Sequence, residues 1–266
     1  MYNDYFSVII SLTYCEVIEM STVAAFFDID GTLYRDSLLI EHFRKLIKYE
    51  LIAKREWSEH LQTTYNNWDK RQGNYDDYMF EISDQYVNAI TGLKKSDIDF
   101  ASRQVIKLKA DRVYKYTRSR IKWHKDQGHK VIFISGSPDY LVEKMAEKYG
   151  VDDNIGSTYI EKNGKMTGEI VPMWDSKSKD WAIDVFVDKY DIDMSKSFAY
   201  GDTNGDISML KRVGNPIAIN PTRELLNQIG SIKHLKDNAR IIVERKDVIY
   251  ELSPNVTHIE VCCDNY

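Results

Sequence analysis

The sequence has little of several features that mark specialised protein classes. Only three of its 266 residues are cysteine and five are proline. Cys15, Cys262 and Cys263 have no metal-ligand spacing, so they imply no disulfide framework, and we expect a cytoplasmic protein. No stretch reaches the roughly 18 apolar residues of a membrane span. The net charge of only −5 indicates neither a nucleic acid nor an anionic membrane as partner.

The composition that remains is that of a globular enzyme. A hydrophobic content of 43% lets the chain bury one large core, or a core and a small second domain. Residues 8–20 are apolar, but Glu16 and Glu19 interrupt them and no basic segment precedes them, which disfavours a signal peptide. We expect residues 1–20 to be an extension outside the core and residues 253–266 to be a tail. Nothing in the sequence specifies an oligomeric state.

The most informative stretch is AAFFDIDGTL, residues 24–33. An apolar run that ends in polar residues and a glycine is typical of a buried strand in a parallel sheet. Asp28 and Asp30 would then stand at the carboxyl end of that strand, where ligands bind in such sheets. Two adjacent acids are costly there unless a cation or a proton is shared. The alternative is an ordinary Asp-Gly turn or helix cap.

Two later segments repeat this pattern of strand followed by polar loop. In VIFISGSP, residues 131–138, Ser135 and Gly136 follow a β-branched run, and a hydroxyl beside free backbone N–H groups can bind an anion. A Ser-Gly turn with a helix cap has the same pattern without a ligand. In SFAYGDTNGDISML, residues 197–210, Asp202 and Asp206 follow a third predicted strand. Clustered carboxylate oxygens suit a hard cation such as Mg²⁺. A final edge strand is predicted within residues 238–252.

A lysine-rich segment lies between the second and third of these strands. DSKSKDWAIDVFVDKY places Lys177 and Lys179 at the start of an amphipathic helix. Either lysine could neutralise a phosphate, whereas most lysines at such positions are solvated. The residues alone leave both possibilities open.

The motifs occur in the order Asp-x-Asp-Gly-Thr, Ser-Gly, lysine, Gly-Asp-x-x-x-Asp, which resembles the haloacid dehalogenase superfamily of phosphotransferases over about residues 22–230. The resemblance implies an α/β fold with a Rossmann-like, doubly wound parallel sheet and a small helical cap inserted after the first strand. It also implies a Mg²⁺-dependent phosphatase that hydrolyses a small phosphomonoester, either phosphoserine-like or another metabolite phosphate. The second acid supports this activity, because dehalogenases of the superfamily lack it and transport ATPases have threonine there.

The resemblance assigns roles to the four acids. Asp28 matches the nucleophile that forms an aspartyl-phosphate, and Asp30 matches the general acid and base. Asp28, the backbone carbonyl of Asp30 and Asp202 would hold Mg²⁺, while Asp206 would act on the metal from outside these direct ligands. The pKa values of Asp28 and Asp30 must then differ, because one acts as a carboxylate and the other as an acid.

The remaining motif residues are expected to bind the transferring phosphoryl oxygens. They are Thr32, Ser135, Gly136 and a lysine. Lys179 fits the family spacing better, because it is followed by x-x-Ala-Ile, but Lys177 stays an alternative.

Two segments resemble the phosphoserine-phosphatase-like branch of the superfamily. One is STYIEKNGKMTGEIV, residues 157–171, which predicts a hairpin with a type I′ turn at Asn163-Gly164. The other is the insert at residues 36–110, whose aromatic residues recur at helical spacing and predict a cap packed around its own core. The catalytic core would then comprise residues 21–35 and 111–252. Substrate choice is expected in the cap and near residues 34–37, and residues 103–127 are predicted to be one helix.

Two other functional classes use similar residues. A phospho-signalling receiver also places acids, a hydroxyl and a lysine around Mg²⁺, but its phosphoacceptor lies on a later strand and it has no cap insert. A catalytically idle relative could serve as a binding or regulatory module. Likeness of fold does not decide between them.

Overall fold

The structure is a computed structural model that describes residues 21–57, 59–70 and 75–257. Its centre is a single eight-stranded sheet in the order β4-β3-β2-β1-β5-β6-β7-β8. The strands are β1 Ala24–Phe27, β2 Lys130–Pro138, β3 Asp153–Lys162, β4 Lys165–Val171, β5 Phe198–Gly201, β6 Asn215–Ile219, β7 Arg240–Arg245 and β8 Val248–Leu252.

The six inner strands are parallel, and the two edge strands, β4 and β8, run antiparallel to their neighbours. All four side chains of β1 are fully buried, which explains the continuous apolar run AAFF. The strand pairs with β2 on one side and with β5 on the other, so the strand order changes direction at β1. In an open α/β sheet, such a position forms a ligand-binding crevice.

Helices cover both faces of the sheet. Ala24 and Phe26 pack with α7–α10 on one face, whereas Ala25 and Phe27 pack with α5 and α6 on the other. This confirms the doubly wound α/β fold. The helices are α1 Leu38–Lys48, α2 Glu59–Asp69, α3 Tyr75–Ile90, α4 Lys95–Lys109, α5 Lys115–Asp126, α6 Asp139–Tyr149, α7 Ser176–Tyr190, α8 Ile207–Arg212, α9 Arg223–Ser231 and α10 Lys233–Asn238.

The four helices α1–α4 lie between β1 and β2 and share a separate hydrophobic cluster. Phe43, Ile82 and Tyr86 are fully buried in it, as their helical spacing predicted. His42 is also fully buried; its Nε2 lies 3.1 Å from the Ile98 carbonyl and its Nδ1 lies 2.8 Å from the Tyr86 hydroxyl. His42 is therefore a packed residue of this cluster.

The prediction of one helix over residues 103–127 is wrong. The segment forms the end of α4 and the whole of α5, with a break at residues 110–114. Val113 forms a bridge to Tyr34, and the backbone N–H of Tyr114 donates to the Leu33 carbonyl. The chain is extended here because these backbone groups bond to the loop after β1, a tertiary contact that overrides helical periodicity.

Both predicted features at the sheet edges are present. Asn163 and Gly164 have φ of 54° and 75°, and a type I′ turn requires positive φ at both residues. Residues 238–252, predicted to contain one final edge strand, form two strands: β7, which contains the β-branched run and pairs with β6, and the edge strand β8, paired to β7 as a hairpin. Among the described helices, none is long and apolar enough to cross a membrane. The predicted extension at residues 1–20, the three cysteines and residues 258–266 of the predicted tail lie outside the described residues.

Candidate active site

The predicted motifs meet where the strand order changes direction. Asp28 follows β1, Asp202 follows β5, and Ser135 and Gly136 lie in the last part of β2. Because β2, β1 and β5 are adjacent and parallel, their carboxyl ends lie side by side. The fold thus brings residues that are far apart in sequence to one edge of the sheet.

Three of the acids form a compact buried cluster. Asp28, Asp202 and Asp206 each place one carboxylate oxygen within 4.8 Å of the others. The Nζ of Lys179 lies 2.7 Å from Asp28 Oδ1 and 2.5 Å from Asp206 Oδ1. Lys179 is buried in the first turn of α7, whereas Lys177 is exposed. Of the two candidate lysines, the structure therefore places Lys179 at the cluster.

Asp206 holds the loop after β5 in shape. Its Oδ2 accepts hydrogen bonds from the backbone N–H groups of Asp202 and Thr203, both at 3.0 Å. Its Oδ1 is the oxygen bound by Lys179. Since both oxygens are engaged, Asp206 fixes the positions of Asp202 and Lys179, and its place outside the direct metal ligands stays a prediction.

Asp28 and Asp202 each keep one oxygen open. Lys179 binds Asp28 Oδ1, and the Thr32 hydroxyl donates to Asp202 Oδ1 at 2.8 Å. Within the described part of the chain, no hydrogen bond reaches either Oδ2. Asp202 Oδ2 lies 2.0 Å from where a Cβ at Gly31 would stand, and Gly31 has φ of +82°, so glycine is required there.

The donor set fits a hard divalent cation. Three buried carboxylates share one ammonium group, which leaves negative charge uncompensated among the described residues. Burial raises the pKa of Asp28 to about 7, even though the Lys179 charge lowers it. Burial and the charges of Asp206 and Asp28 also raise the pKa of Asp202 well above its ordinary value. A cation bound to the open oxygens of Asp28 and Asp202 would stabilise both carboxylates.

Asp30 occupies a different environment from Asp28. Its Oδ2 accepts from the Ser137 hydroxyl at 2.5 Å, and its Oδ1 accepts from the backbone N–H of Leu38 at 3.0 Å. Burial raises the pKa of Asp30 to about 6, although these two hydrogen bonds lower it. Leu38 begins α1, so the Asp30 carboxylate also joins the first helix of the insert to the site.

A cavity of about 640 Å³ opens above this cluster. Its floor contains Asp28, Asp30, Ser135, Gly136 and Lys179. Its volume is in the range of sites that hold small molecules. A phosphoryl group placed on this floor would meet the Lys179 ammonium, the Ser135 hydroxyl and two carboxylates.

Thr32 lies differently from the other predicted phosphate-binding residues. It is fully buried, donates to Asp202 and is not among the described residues that line the cavity. Its phosphate-binding role stays a prediction, and the contact observed is one that orients Asp202. Residues 34–37, where substrate selection was expected, are likewise absent from the described lining.

The sequence analysis missed Ser137 and the outer wall of the cavity. The Ser137 hydroxyl binds Asp30, and its signal was the alternation Ser-Gly-Ser, which places Ser135 and Ser137 on the same side of an extended segment. Trp174 and Ile170 come to the wall from the segment around the hairpin. No local pattern predicted that this segment would approach α3.

Replacement of Lys179 is expected to destabilise the protein. Lys179→Met leaves buried carboxylates without their ammonium partner and should cost about 3 kcal/mol of unfolding free energy. Lys177→Met is the matched control, because this exposed side chain has no such partner and should change stability by less than about 0.5 kcal/mol. Urea unfolding in EDTA measures both, and equal stability of the two variants would contradict the buried ion pairs.

Comparison with known proteins agrees with this site. The family model for haloacid dehalogenase-like hydrolases matches residues 25–211. An inhibition of morphological differentiation protein of Streptomyces azureus is 28% identical over 205 residues, 76% of this chain and 73% of the relative. A phosphoserine phosphatase of Mycobacterium tuberculosis is 25% identical over 218 residues, 77% and 67% of the two chains.

A solved phospho-aspartyl intermediate analogue of phosphoserine phosphatase shares the fold. It has a TM-score of 0.57 and 23% identity, and the match covers 85% of this chain and 95% of that one. Together with the order of the motifs and their assembly at one edge of the sheet, these matches confirm the predicted resemblance. The chain belongs to the haloacid dehalogenase-like hydrolase family.

Proposed function

We propose that this phosphatase is Mg²⁺-dependent and hydrolyses small phosphomonoesters through an aspartyl-phosphate on Asp28. The observation that carries the proposal is the cluster of Asp28, Asp202 and Asp206 around Lys179, of which Asp28 and Lys179 reach the floor of a cavity. Phosphoryl transfer needs positioned charges more than covalent machinery, and this floor supplies a nucleophilic carboxylate, an ammonium group and a place for a cation.

Mg²⁺ would be held by the open carboxylate oxygens of Asp28 and Asp202 and by the backbone carbonyl of Asp30. When bound, it would neutralise the phosphate charge and keep Asp28 ionised. Lys179 and Ser135 would bind phosphoryl oxygens, together with the backbone N–H of Gly136. These contacts stabilise the charge that the transferring group carries in the transition state.

The reaction has two steps. In the first, an Asp28 oxygen forms a bond to phosphorus while the bond from phosphorus to the leaving oxygen breaks, and Asp30 gives that oxygen a proton. In the second, Asp30 takes a proton from water, the water oxygen attacks phosphorus, and the bond to Asp28 breaks to release inorganic phosphate. The Ser137 hydroxyl and the Leu38 N–H hold the Asp30 carboxylate in place.

Residues 36–110 would form a cap domain over a core of residues 21–35 and 111–252. The separate hydrophobic cluster of α1–α4 supports this division, and Leu39, Met79 and Val87 of these helices line the cavity. A cap in this place would exclude water from the phosphoryl group and contact the leaving alcohol. A cytoplasmic location stays a prediction.

Steady turnover of para-nitrophenyl phosphate tests this function against its rivals. A receiver-like module or an idle relative would release at most one nitrophenolate per protein molecule, whereas a phosphatase releases many. The helices between β1 and β2 and the nucleophile on the first strand already disfavour a receiver.

The metal requirement gives a direct prediction. EDTA should abolish turnover, Mg²⁺ should restore it, and excess Ca²⁺ should inhibit, because its looser coordination can engage both oxygens of Asp28 and spoil the alignment for attack. Full activity in EDTA would contradict the proposal.

Two alanine variants locate the metal. Asp202→Ala should weaken Mg²⁺ binding in titration calorimetry more than Asp206→Ala. Of these two residues, Asp202 has a carboxylate oxygen without a hydrogen bond from the described residues, whereas both oxygens of Asp206 are bonded. Equal affinities in the two variants would place the metal elsewhere.

A further inference from the structure

The wall of the cavity is chemically unlike its floor. Above the phosphoryl position, polar side chains such as Ser83 and Asn204 line one part of the described wall, and apolar side chains from α1, α3 and the hairpin segment line the other. The apolar members are Leu39, Met79, Phe80, Val87, Ile170 and Trp174. A leaving alcohol attached to a phosphate on the floor would extend along this wall.

Two aromatic side chains in this wall are exposed. Phe80 has 73% of its surface accessible to solvent and Trp174 has 39%. Both belong to the cavity lining, so a bound molecule can cover them. Covering apolar surface yields about 25 cal/mol per Å², and this gain requires apolar atoms on the ligand. The exposed rings therefore favour a leaving group with a hydrocarbon part.

The charges of the wall oppose a negatively charged leaving group. Among the described lining residues, Lys179 is the single cation, and it already binds Asp28 and Asp206 on the floor. The other charged members of the wall, Asp84 and Asp175, are acids. The Asp175 carboxylate accepts from the backbone N–H of Ser178 at 2.7 Å, whereas Asp84 is exposed on α3. A substrate carboxylate would find no basic partner here.

We infer that the cavity takes phosphomonoesters of apolar alcohols that carry no carboxylate, and that it disfavours phosphoserine. The inference rests on the proposed phosphatase function and names the substrate class of that site. A carboxylate brought into the cavity would lose water without gaining an opposite charge from the described lining residues, because Lys179 is already paired. The same carboxylate would lie near the exposed acid Asp84.

Three small phosphate esters separate the effects of a carboxylate, an ammonium group and a methyl group of the leaving alcohol on kcat/KM. O-Phosphoserine and O-phosphoethanolamine differ only by the carboxylate, and n-propyl phosphate replaces the ammonium of the latter by a methyl group. We expect kcat/KM for n-propyl phosphate and for phosphoethanolamine to exceed that for phosphoserine by about tenfold or more, the effect of an unpaired charged group. A value for phosphoserine equal to or above the others would overturn the inference.

Variants of α3 test the wall itself. Phe80→Ala should lower kcat/KM for n-hexyl phosphate by about fivefold or more and leave methyl phosphate, which is too short to reach the wall, nearly unchanged. Tyr250→Ala on β8 is the control, because it removes a half-exposed aromatic side chain outside the described lining. Asp84→Arg should raise the ratio of phosphoserine to n-propyl phosphate turnover, since it places a cation in the wall.

These experiments test the inferred substrate class separately from the proposed phosphatase function. Two results would overturn the substrate class and leave the phosphatase function intact. One is turnover of para-nitrophenyl phosphate together with a preference for phosphoserine. The other is an equal kcat/KM for n-hexyl phosphate in the Phe80→Ala and Tyr250→Ala variants. Absence of turnover with every phosphate ester in Mg²⁺ would overturn both.

Discussion

Asp28→Asn is expected to lower phosphatase turnover below about one hundredth of the wild-type rate, the scale of loss when covalent catalysis is removed. An amide nitrogen or oxygen cannot replace the carboxylate as a nucleophile toward phosphorus. The substitution is nearly isosteric at a buried position 5% exposed to solvent, so the fold should change little. Steady-state assays with para-nitrophenyl phosphate and Mg²⁺ measure the effect.

The fold of the Asp28→Asn variant should survive for an electrostatic reason. Asp28 lies with Asp202 and Asp206 in one cluster, and burial disfavours its ionised form. Replacement by a neutral amide removes one of the mutually repelling charges in the metal-free protein. Asp188→Asn, an exposed acid of α7, is the control for loss of a carboxylate as such. If a folded Asp28→Asn protein keeps more than about one hundredth of the wild-type activity, Asp28 is not the nucleophile.

Asp30→Asn is expected to trap the enzyme in its phosphorylated form. With a good leaving group such as para-nitrophenolate, the first step needs little proton donation, so Asp28 should still be phosphorylated. The second step needs a base for the attacking water, and an amide cannot take that proton. Steady turnover should therefore fall by about 100-fold or more, the usual contribution of general acid–base catalysis.

Intact mass spectrometry after mixing with substrate measures this trapping. The Asp30→Asn variant should carry one added phosphoryl group, and the Asp28→Asn/Asp30→Asn double variant should carry none. Ser137→Ala is an intermediate case, because it removes one hydrogen bond to Asp30 and keeps the carboxylate. An unmodified Asp30→Asn protein with wild-type turnover would rule out the acid–base role.

The sequence was most informative where local chemistry and topology coincide. The run AAFF followed by Asp28 predicted a buried strand with a ligand site at its end, and the structure has the buried strand there and a cavity lined by Asp28. Asp202 and Asp206 were likewise predicted to lie in one cluster, because both follow the same predicted strand, in the loop that leads into a helix. In these cases, three to ten consecutive residues contain the whole signal.

The sequence was least informative where contacts join distant segments. Residues 110–114 have the composition of a helix, yet the backbone of the loop after β1 holds them extended. The hydrogen bond from the Thr32 hydroxyl to Asp202 joins residues 170 positions apart, and the motif around Thr32 did not predict it. Lys177 and Lys179 both lie in the first turn of α7, and which of them faces the site depends on where the helix begins. The spacing of the motif alone did not fix that residue.

The ion pair between Lys179 and Asp28 joins residues 151 positions apart. During synthesis, β1 leaves the ribosome early. One of its edges is unpaired until β2 has been made, and the other until β5 has been made. Most of the cluster shared by α1–α4 comes from residues 39–101, so much of it can form early, and Tyr159 and Met166 of the hairpin complete it later. The insert can therefore gain structure while the nucleophile still lacks its lysine and its metal ligands. A nascent chain that stops just before residue 202 contains Asp28, Asp30 and Lys179 but lacks Asp202 and Asp206, so the newly made protein should stay inactive until β5 and the loop after it are in place.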